Sequence, residues 1–474
     1  MSAAVSSRRK FLGTIGLGAV SLAVPGFWMS DLVGRTARRS NEKLNFLFIL
    51  MDDMGWSDLG CYGNKFHETP NIDRLSREGM RFTDAYAACP VCSPTRASIL
   101  TGQYPARVGM TDFIPGWYRP WAKLTVPENR LELPAEAATF AEMLKEDGYA
   151  TGYVGKWDVG KSPEFGPQKQ GFDAVAEAVP RGRDKWVTSF TDATLEFIAA
   201  NRDRPFMFYL SHHTVHIPLL APPTLVDKYK SKPKPKSGVN NPVYAAMIEH
   251  LDNSIGQILG KLDEWELAGR TVVIFFSDNG GLRRRFDGRG EIVTTNAPLR
   301  SEKGTLYEGG IRVPLIVRCP GVVKSGAICS APVSSVDFYP TLLELAGVKD
   351  DSQHVLDGRS LVPLLTGTGK FERDALFWHY PHYHHSTPAG AVRQGDWKLM
   401  EFYEDGRLEL YNLRRDVGEA VNLAGRMPEK AAGLRRKLAA WRKSVGAKMP
   451  RPNPEHDPAR ANKWGGPIRR SGGQ

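Results

Sequence analysis

Runs of apolar residues of strand length recur through the first two thirds of this chain, and most place apolar side chains at successive positions instead of alternating ones. Residues 46–51, 81–87, 150–154, 206–210, 271–276 and 314–317 carry this pattern, which belongs to strands covered on both faces. Between them, residues 69–79, 137–147, 187–200 and 243–267 read as helices. In the last of these Met247, Ile248, Leu251, Ile255, Ile258 and Leu262 recur at helical spacing. Strands that need cover on both sides, alternating with helices able to supply it, predict an α/β domain over residues 41–355, with a large, mixed, mainly parallel sheet flanked by helices.

The texture changes near residue 355. Residues 375–379, 391–393, 398–403 and 408–412 read as short strands, with Glu404-Asp405-Gly406-Arg407 as a hairpin turn. A charged helix at 428–445 follows. Residues 356–450 therefore predict a smaller C-terminal antiparallel sheet plus one helix, and residues 451–474, rich in Pro, Arg and Gly, a tail that wraps the surface or stays disordered.

Charge narrows the partners. The formal net charge is +11, but residues 1–40 hold six Lys/Arg against one Asp, so the remainder carries only +6. That charge is dispersed and no nucleic-acid motif accompanies it, so no nucleic-acid partner is expected. The run Ser7-Arg8-Arg9-Lys10-Phe11-Leu12-Gly13, followed by an apolar stretch to Val24, resembles a bacterial twin-arginine export signal; an ordinary secretory signal is the alternative. Either predicts export through a translocase to the periplasm or beyond. The apolar stretch is short and Gly-rich for a spanning helix, so an integral membrane protein is not expected. Five cysteines in a chain of this length make no disulfide framework, although Cys319 and Cys329 remain candidates for pairing.

Two of the apolar runs end in acidic pairs, Asp52-Asp53 and Asp278-Asn279. In a parallel sheet both pairs fall at the carboxyl edge, where α/β proteins bind ligands. Their donors are all oxygen, a set that suits calcium, or secondarily magnesium, better than zinc. Either pair alone reads first as a turn or a helix cap. What joins them into one site is the run Cys92-Ser93-Pro94-Thr95-Arg96-Ala97-Ser98-Ile99-Leu100-Thr101-Gly102. Pro94 is tolerated in a first helical turn and Gly102 stops the helix, which places Cys92 at a helix N-terminus with Arg96 one turn on. Free N–H groups and the helix dipole favour an anion there. Cys89-Pro90-Val91-Cys92 also leaves open a redox or metal-binding pair.

This run resembles the signature that directs oxidation of a cysteine to formylglycine in type I sulfatases of the alkaline-phosphatase superfamily, and the resemblance extends over about residues 44–350 and into the C-terminal part. It implies an alkaline-phosphatase-like fold, sulfuric ester hydrolysis of the arylsulfatase type, and a maturation enzyme that converts Cys92. Twin-arginine export, which carries folded proteins, would allow that conversion before export. Asp52, Asp53, Asp278 and Asn279 match the family's calcium ligands, with modified Cys92 completing the shell. Arg96 matches the arginine that steadies formylglycine, and Lys156 and Lys303 match two sulfate-binding lysines. His216 matches the histidine that protonates the leaving oxygen. In hydrated formylglycine one geminal hydroxyl attacks sulfur and the other expels sulfate by re-forming the carbonyl.

One departure stands out. The family continues Gly-Lys-Trp-His where this chain has Gly155-Lys156-Trp157-Asp158. Three readings stay open: Asp158 does the histidine's work, His212 or His213 replaces it, or turnover is impaired. In the C-terminal part, Trp378-His379-Tyr380-Pro381-His382-Tyr383-His384-His385, with Arg393 and Trp397, combine aromatic faces and polar donors suited to sugars; Trp378 and Tyr380 equally fit a packed junction. His382 and Arg393 are the candidate contacts to a sulfated saccharide. The rival readings are a phosphodiesterase or phosphonate monoester hydrolase of the same superfamily and a non-catalytic sulfated-glycan binding protein.

Overall fold

Seven consecutive residues without solvent contact, Asn45–Met51, run through the middle of an eight-stranded sheet. The computed structural model describes residues 43–160, 163–236, 238–285, 290–350, 353–461 and 463–467; the expected export signal lies outside them. In chain order the large sheet and its helices comprise β1 (Asn45–Met51), α1 (Pro70–Glu78), β2 (Met80–Phe82), α2 (Cys92–Thr101), α3 (Phe140–Glu146), β3 (Ala150–Gly155) and β4 (Ala174–Ala176). They continue with α4 (Val187–Asn201), β5 (Phe206–Ser211), α5 (Pro223–Ser231), α6 (Pro242–Glu264), β6 (Thr271–Ser277), β7 (Leu315–Arg318), β8 (Ala327–Cys329) and α7 (Phe338–Ala346).

The strand order is β8-β2-β7-β6-β1-β5-β3-β4. From β6 to β4 every pairing is parallel, and β7 runs antiparallel to both of its neighbours. The period of two along β1 explains its continuous burial: Phe46, Phe48 and Leu50 enter a core with α2, α3 and α7, while Leu47, Ile49 and Met51 enter one with α1, α4 and α6. Asn241 starts α6 by accepting from the backbone N–H groups of Val243 and Tyr244, with Pro242 at the first helical position. Two strands carried no apolar run to mark them. Ala174–Ala176 and Ala327–Cys329 are three-residue, partly exposed strands at the sheet's ends. The run 81–87 is broken because Asp84 turns into ion pairs, and Ala85–Tyr86 pairs instead with Val333–Ser334.

The C-terminal part forms a four-stranded antiparallel sheet, β9 (Leu376–Tyr380), β10 (Ala389–Gln394), β11 (Trp397–Phe402) and β12 (Leu408–Asn412), followed by α8 (Pro428–Ser444). One face, with Trp378, Tyr380, Met400 and Phe402, packs on Tyr86 and Leu306. The other, with Val392, Leu399 and Leu410, packs on Ala431, Leu434 and Leu438 of α8. Residues from Lys43 onward cluster as one compact unit, so this sheet is a layer of the same body. Trp378 and Tyr380 are junction residues: Trp378 Nε1 donates to Ala87 O at 2.9 Å and the Tyr380 hydroxyl to Asp112 at 2.8 Å.

Charge crosses the junction as well. Lys398, fully buried, sits 2.8 Å from Glu308 and 2.9 Å from Glu419, and Arg312 and Arg393 both bind Asp84. This corrects the expectation for Arg393. Its guanidinium is committed to Asp84 and the Tyr86 hydroxyl within the junction, so it does not present itself to a substrate. Trp397 likewise faces α8, where Lys430 lies over its ring. Beyond α8 the chain folds back: Arg451–Pro452 pairs with Leu124–Thr125, and Gly466–Pro467 with Trp117–Tyr118. None of the five cysteines is paired in a disulfide, Cys319 and Cys329 included.

Removing one partner from a buried ion pair leaves an uncompensated charge. Lys398→Met is expected to cost about 3–5 kcal/mol, read as a lower urea midpoint; a loss under about 1 kcal/mol would mean that water reaches the two glutamates.

Candidate active site

Four parallel strands, β6, β1, β5 and β3, end side by side, and each delivers a functional group just past its last residue. Met51 is paired with Ser277, so Asp52-Asp53 and Asp278-Asn279 emerge together. Leu50 is paired with Ser211, and the loop after β5 leads to His216. Gly155 ends β3 with φ 114°, where a Cβ would lie 1.8 Å from Ser211 O; only glycine permits the approach by which Lys156 N–H donates to that carbonyl at 2.9 Å. Asp53 and Asp158 hold left-handed backbone, φ 63° and 60°. Strain of this kind at non-glycine residues collects at functional sites.

The sequence places Cys92 as first residue of α2, every residue of which is buried. Gly102, at φ 67°, closes the helix by donating to Ser98 O. Arg96 then ties the helix to the sheet. Its Nε and Nη2 bind Asp278 Oδ2 at 3.0 and 2.7 Å, and its Nη1 donates to Lys156 O and Ser211 Oγ at 2.7 and 2.6 Å. Burial and then Asp158 push the Cys92 thiol up to about 12, against the pull of Lys156 and Lys303. Burial also raises the Cys89 thiol far above its ordinary value. Neither is an activated thiolate, which argues against the redox pair left open by their spacing.

Three buried oxygens in this cluster have no hydrogen-bond donor: Asp52 Oδ1, Asp53 Oδ2 and Asn279 Oδ1. Their partner atoms are engaged, Asp52 Oδ2 with Lys156 Nζ at 2.9 Å and Asp53 Oδ1 with Lys303 Nζ at 2.6 Å and Asn279 Nδ2 at 2.8 Å. Asp278 accepts from Arg96 through one oxygen and from Asp53 N–H through the other. Asp52, Asp53 and His216 each offer a ligand atom within 4.8 Å of one another. Burial works against ionising Asp52, but Lys156, His216, Arg96 and Lys303 hold its carboxyl well below the usual range. The cost falls on Asp278, raised by burial and by the charge of Asp52. A hard divalent cation fits this set: it would satisfy the orphaned oxygens and relieve the repulsion among the carboxylates.

The remaining predicted residues converge on the same place. Lys156 and Lys303 both act on the Cys92 thiol. Asp158 Oδ2 accepts from Ser93 Oγ at 2.9 Å and lies 3.4 Å from Lys156 Nζ. Burial opposes its ionisation, yet Lys156, Arg96 and a hydrogen bond from Cys92 lower it overall. His216 points Nδ1 at Ile217 O and Nε2 toward Asp53 Oδ2, 3.8 Å away; burial and Lys303 lower its pKa. His212 is fully buried and depressed to about 3 by burial. His213 packs on Trp186, and burial lowers it to about 4. His382 sets Nε2 against Thr111 Oγ1 at 2.8 Å and Nδ1 3.8 Å from Asp112.

Lys185 was not legible in the sequence. A turn built by Asp184, which accepts from the N–H groups of Trp186 and Thr188, aims its ammonium at His216 O and Pro218 O, 2.7 and 2.9 Å away. It fixes the loop that carries His216, and only the turn's geometry reveals this.

Residues 44–348 match the Sulfatase family model. This chain belongs to the type I sulfatases of the alkaline-phosphatase superfamily. Residues 301–444 of this sulfatase match the model described as N-sulphoglucosamine sulphohydrolase, C-terminal. The chain is 32% identical to a sulfatase of Formosa agariphila, over 88% of its own length and 92% of that protein's. To human arylsulfatase A it is 33% identical, over 80% and 83% of the two chains. Among solved structures it resembles Ps i-CgsB in complex with k-i-k-neocarrahexaose, with 26% identity, a TM-score of 0.72, and coverage of 85% and 93%. Sulfatases of this family use formylglycine and a divalent metal, and the residues around Cys92 fit both.

If the orphaned oxygens hold a cation, calcium will raise the thermal midpoint of the metal-stripped sulfatase, by about 2.7 kcal/mol of stability at a hundredfold excess over Kd. Asn279→Ala is expected to abolish most of that shift. An equal shift in wild type and variant would place the cation elsewhere.

Proposed function

We propose that this sulfatase releases inorganic sulfate from sulfated carbohydrate, using a formylglycine made from Cys92 and a calcium ion held by Asp52, Asp53, Asp278 and Asn279 together with residue 92. The observation that carries the reading is the placement of Cys92: buried, at a helix N-terminus, and in the field of Lys156, Lys303 and Asp52, one of whose oxygens has no donor. Hydrated formylglycine supplies one hydroxyl to attack sulfur and a second whose ionisation returns the carbonyl and frees sulfate. Held by Asp52, Asp53, Asp278 and Asn279, calcium would supply fixed positive charge for an anionic substrate.

The chain's own side chains do the rest. Lys156 and Lys303, now paired with Asp52 and Asp53, are placed to share their charge with sulfate oxygens. Arg96 is fully occupied by Asp278, Lys156 O and Ser211, so its part is to hold the N-terminus of α2 in register with the carboxylates. His216 carries the proton for the leaving oxygen at Nε2. Burial and Lys303 lower its pKa in the free site, and the negative charge of a bound sulfate ester raises its affinity for a proton. Asp158 replaces the usual histidine. With its pKa lowered by Lys156 and Arg96 against burial, it is a weak base and a strong acceptor, suited to orienting a hydroxyl on residue 92.

A saccharide substrate is supported by the similarity to Ps i-CgsB, whose structure is described with k-i-k-neocarrahexaose bound. Sulfated galactose or N-acetylgalactosamine is the preferred residue. The N-terminal twin-arginine-like run supports export to the periplasm or beyond. No described helix is long and apolar enough to cross a membrane.

The deciding experiment is mass spectrometry of the Cys92 peptide from protein made with its maturation enzyme, alongside rates on matched sulfate and phosphate esters. An aldehyde at residue 92 and a preference for sulfate are expected; a plain thiol in active protein removes the mechanism, and a preference for phosphate removes the substrate class. Cys92→Ala is expected to lower kcat by about 10⁴-fold or more. Asp158→His is expected to retain or raise activity, and a loss as deep as that of Cys92→Ala would give the carboxylate a required role of its own.

A further inference from the structure

A cavity of about 420 Å³ lies between the segment 117–126 and the folded-back C-terminal residues 453–455, with Asp112 and His382 also on its wall. That volume is ordinary for a small-ligand site, about 300–1,000 Å³. The lining is aromatic where it is open and polar where it is buried. Tyr118 is 59% exposed, and among the described residues it is the one aromatic side chain left so open. Trp117, half-buried, adds a second ring, while Tyr383 is buried beneath Arg119. Asp112 and His382, both nearly fully buried, supply polar groups, and Arg119 has an Nε with no acceptor. A larger groove, walled by Arg107, Glu128 and Arg130, has no aromatic residue in its lining.

Two short chains of contacts run from the cavity wall toward the reacting centre. Two residues after Asp112, the backbone N–H of Ile114 donates to Ser93 Oγ at 3.2 Å, and Ser93 follows Cys92. Trp117 lies 6.2 Å from the ring of His384. His384 in turn closes on Gly304, where a Cβ would fall 1.9 Å from its Nδ1, immediately beyond Lys303. The cavity wall is thus tied, through Ile114 and through His384, to the residues that flank Cys92 and Lys303.

We infer that this cavity is a binding site for a neutral sugar ring of the glycan adjoining the sulfated residue, with the C-terminal strap as one of its walls. Ring faces stack against the apolar side of a pyranose while buried polar groups take its hydroxyls. Charge argues against a second sulfate: Glu455 is on the wall, and Arg119, the single Lys or Arg among its lining residues, already lies over Tyr383 and Trp464. The strap is held for this purpose from both ends. Its strand pairings fix residues 451–452 and 466–467, and Asn453 Nδ2 donates to Pro120 O and Ala122 O, both at 2.6 Å.

The inference rests on the saccharide reading, and the test separates the two. Sulfate release is measured from a galactose monosulfate and from a sulfated galactan tetrasaccharide, for wild type, Tyr118→Ala and Trp117→Ala. Wild type is expected to favour the tetrasaccharide, and both variants to lose that preference by about tenfold or more, chiefly through KM. The exposed position of Tyr118 makes its variant the safer one for folding. Binding of the desulfated tetrasaccharide, expected for wild type and weakened in the variants, reads the cavity without catalysis. A wild type that cleaves both sugars with equal kcat/KM, or variants that keep the preference, overturns the cavity's role and leaves the saccharide reading standing. A wild type active on an aryl sulfate and on neither sugar overturns both.

Discussion

The guanidinium of Arg96 is where the helix that begins at Cys92 and the sheet that ends in carboxylates become one structure. It is 2% exposed, and its donors go to Asp278, to the Lys156 carbonyl and to Ser211, which belong to or follow three different strands. An arginine suits this work because its planar fork can satisfy several acceptors at once without losing its charge. The geometry fixes what the neighbours can do. Asp278 is neutralised on one side, Lys156 is held with its ammonium beside Asp52, and residue 92 is set at a helix N-terminus facing both.

Everything around this link is a balance between burial and charge. Burial would drive each carboxyl toward its neutral form and each ammonium toward its own. The site escapes that by interleaving the two signs: Lys156 between Asp52 and Asp158, Lys303 beside Asp53, Arg96 against Asp278. The balance is incomplete at three oxygens, and those are the positions at which a cation would bind. The lysines are thus restrained by the same carboxylates that a metal would claim, which leaves them free to turn to an anion once it is bound.

The substrate side of the molecule is built by segments far apart in the chain. Lys398 and Glu419, from the C-terminal part, grip Glu308, five residues after Lys303. Arg300 reaches the Glu419 carbonyl at 2.7 Å. The loop that presents Lys303 is therefore bolted to the smaller sheet. The strap beyond α8 then returns across the 117–126 segment, beside the aromatic wall formed by Phe113, Trp117 and His384.

The central strands were legible because each is an apolar run; the acidic pairs followed from where two of those runs end, Cys92 from the helix signals of the run 92–102, and Lys156 from the resemblance to the family. The end strands 174–176 and 327–329 were not, because partly exposed three-residue strands carry no hydrophobic period. Arg393 illustrates the limit for side chains: an arginine on a short strand reads the same whether it meets a sugar or Asp84, and packing alone chose Asp84. Lys185 shows the converse, since its direction was set by a turn whose hydrogen bonds only the folded chain displays. By itself the sequence determined the central strands and the longer helices between them, the helix start at Cys92 and the chemistry of the groups at the strand ends, since these depend on local propensity and burial period. The tertiary structure decided which oxygens lack donors, which cations are already spent in the interior, and which aromatic faces stay open to a ligand, because those are properties of contacts between residues hundreds of positions apart.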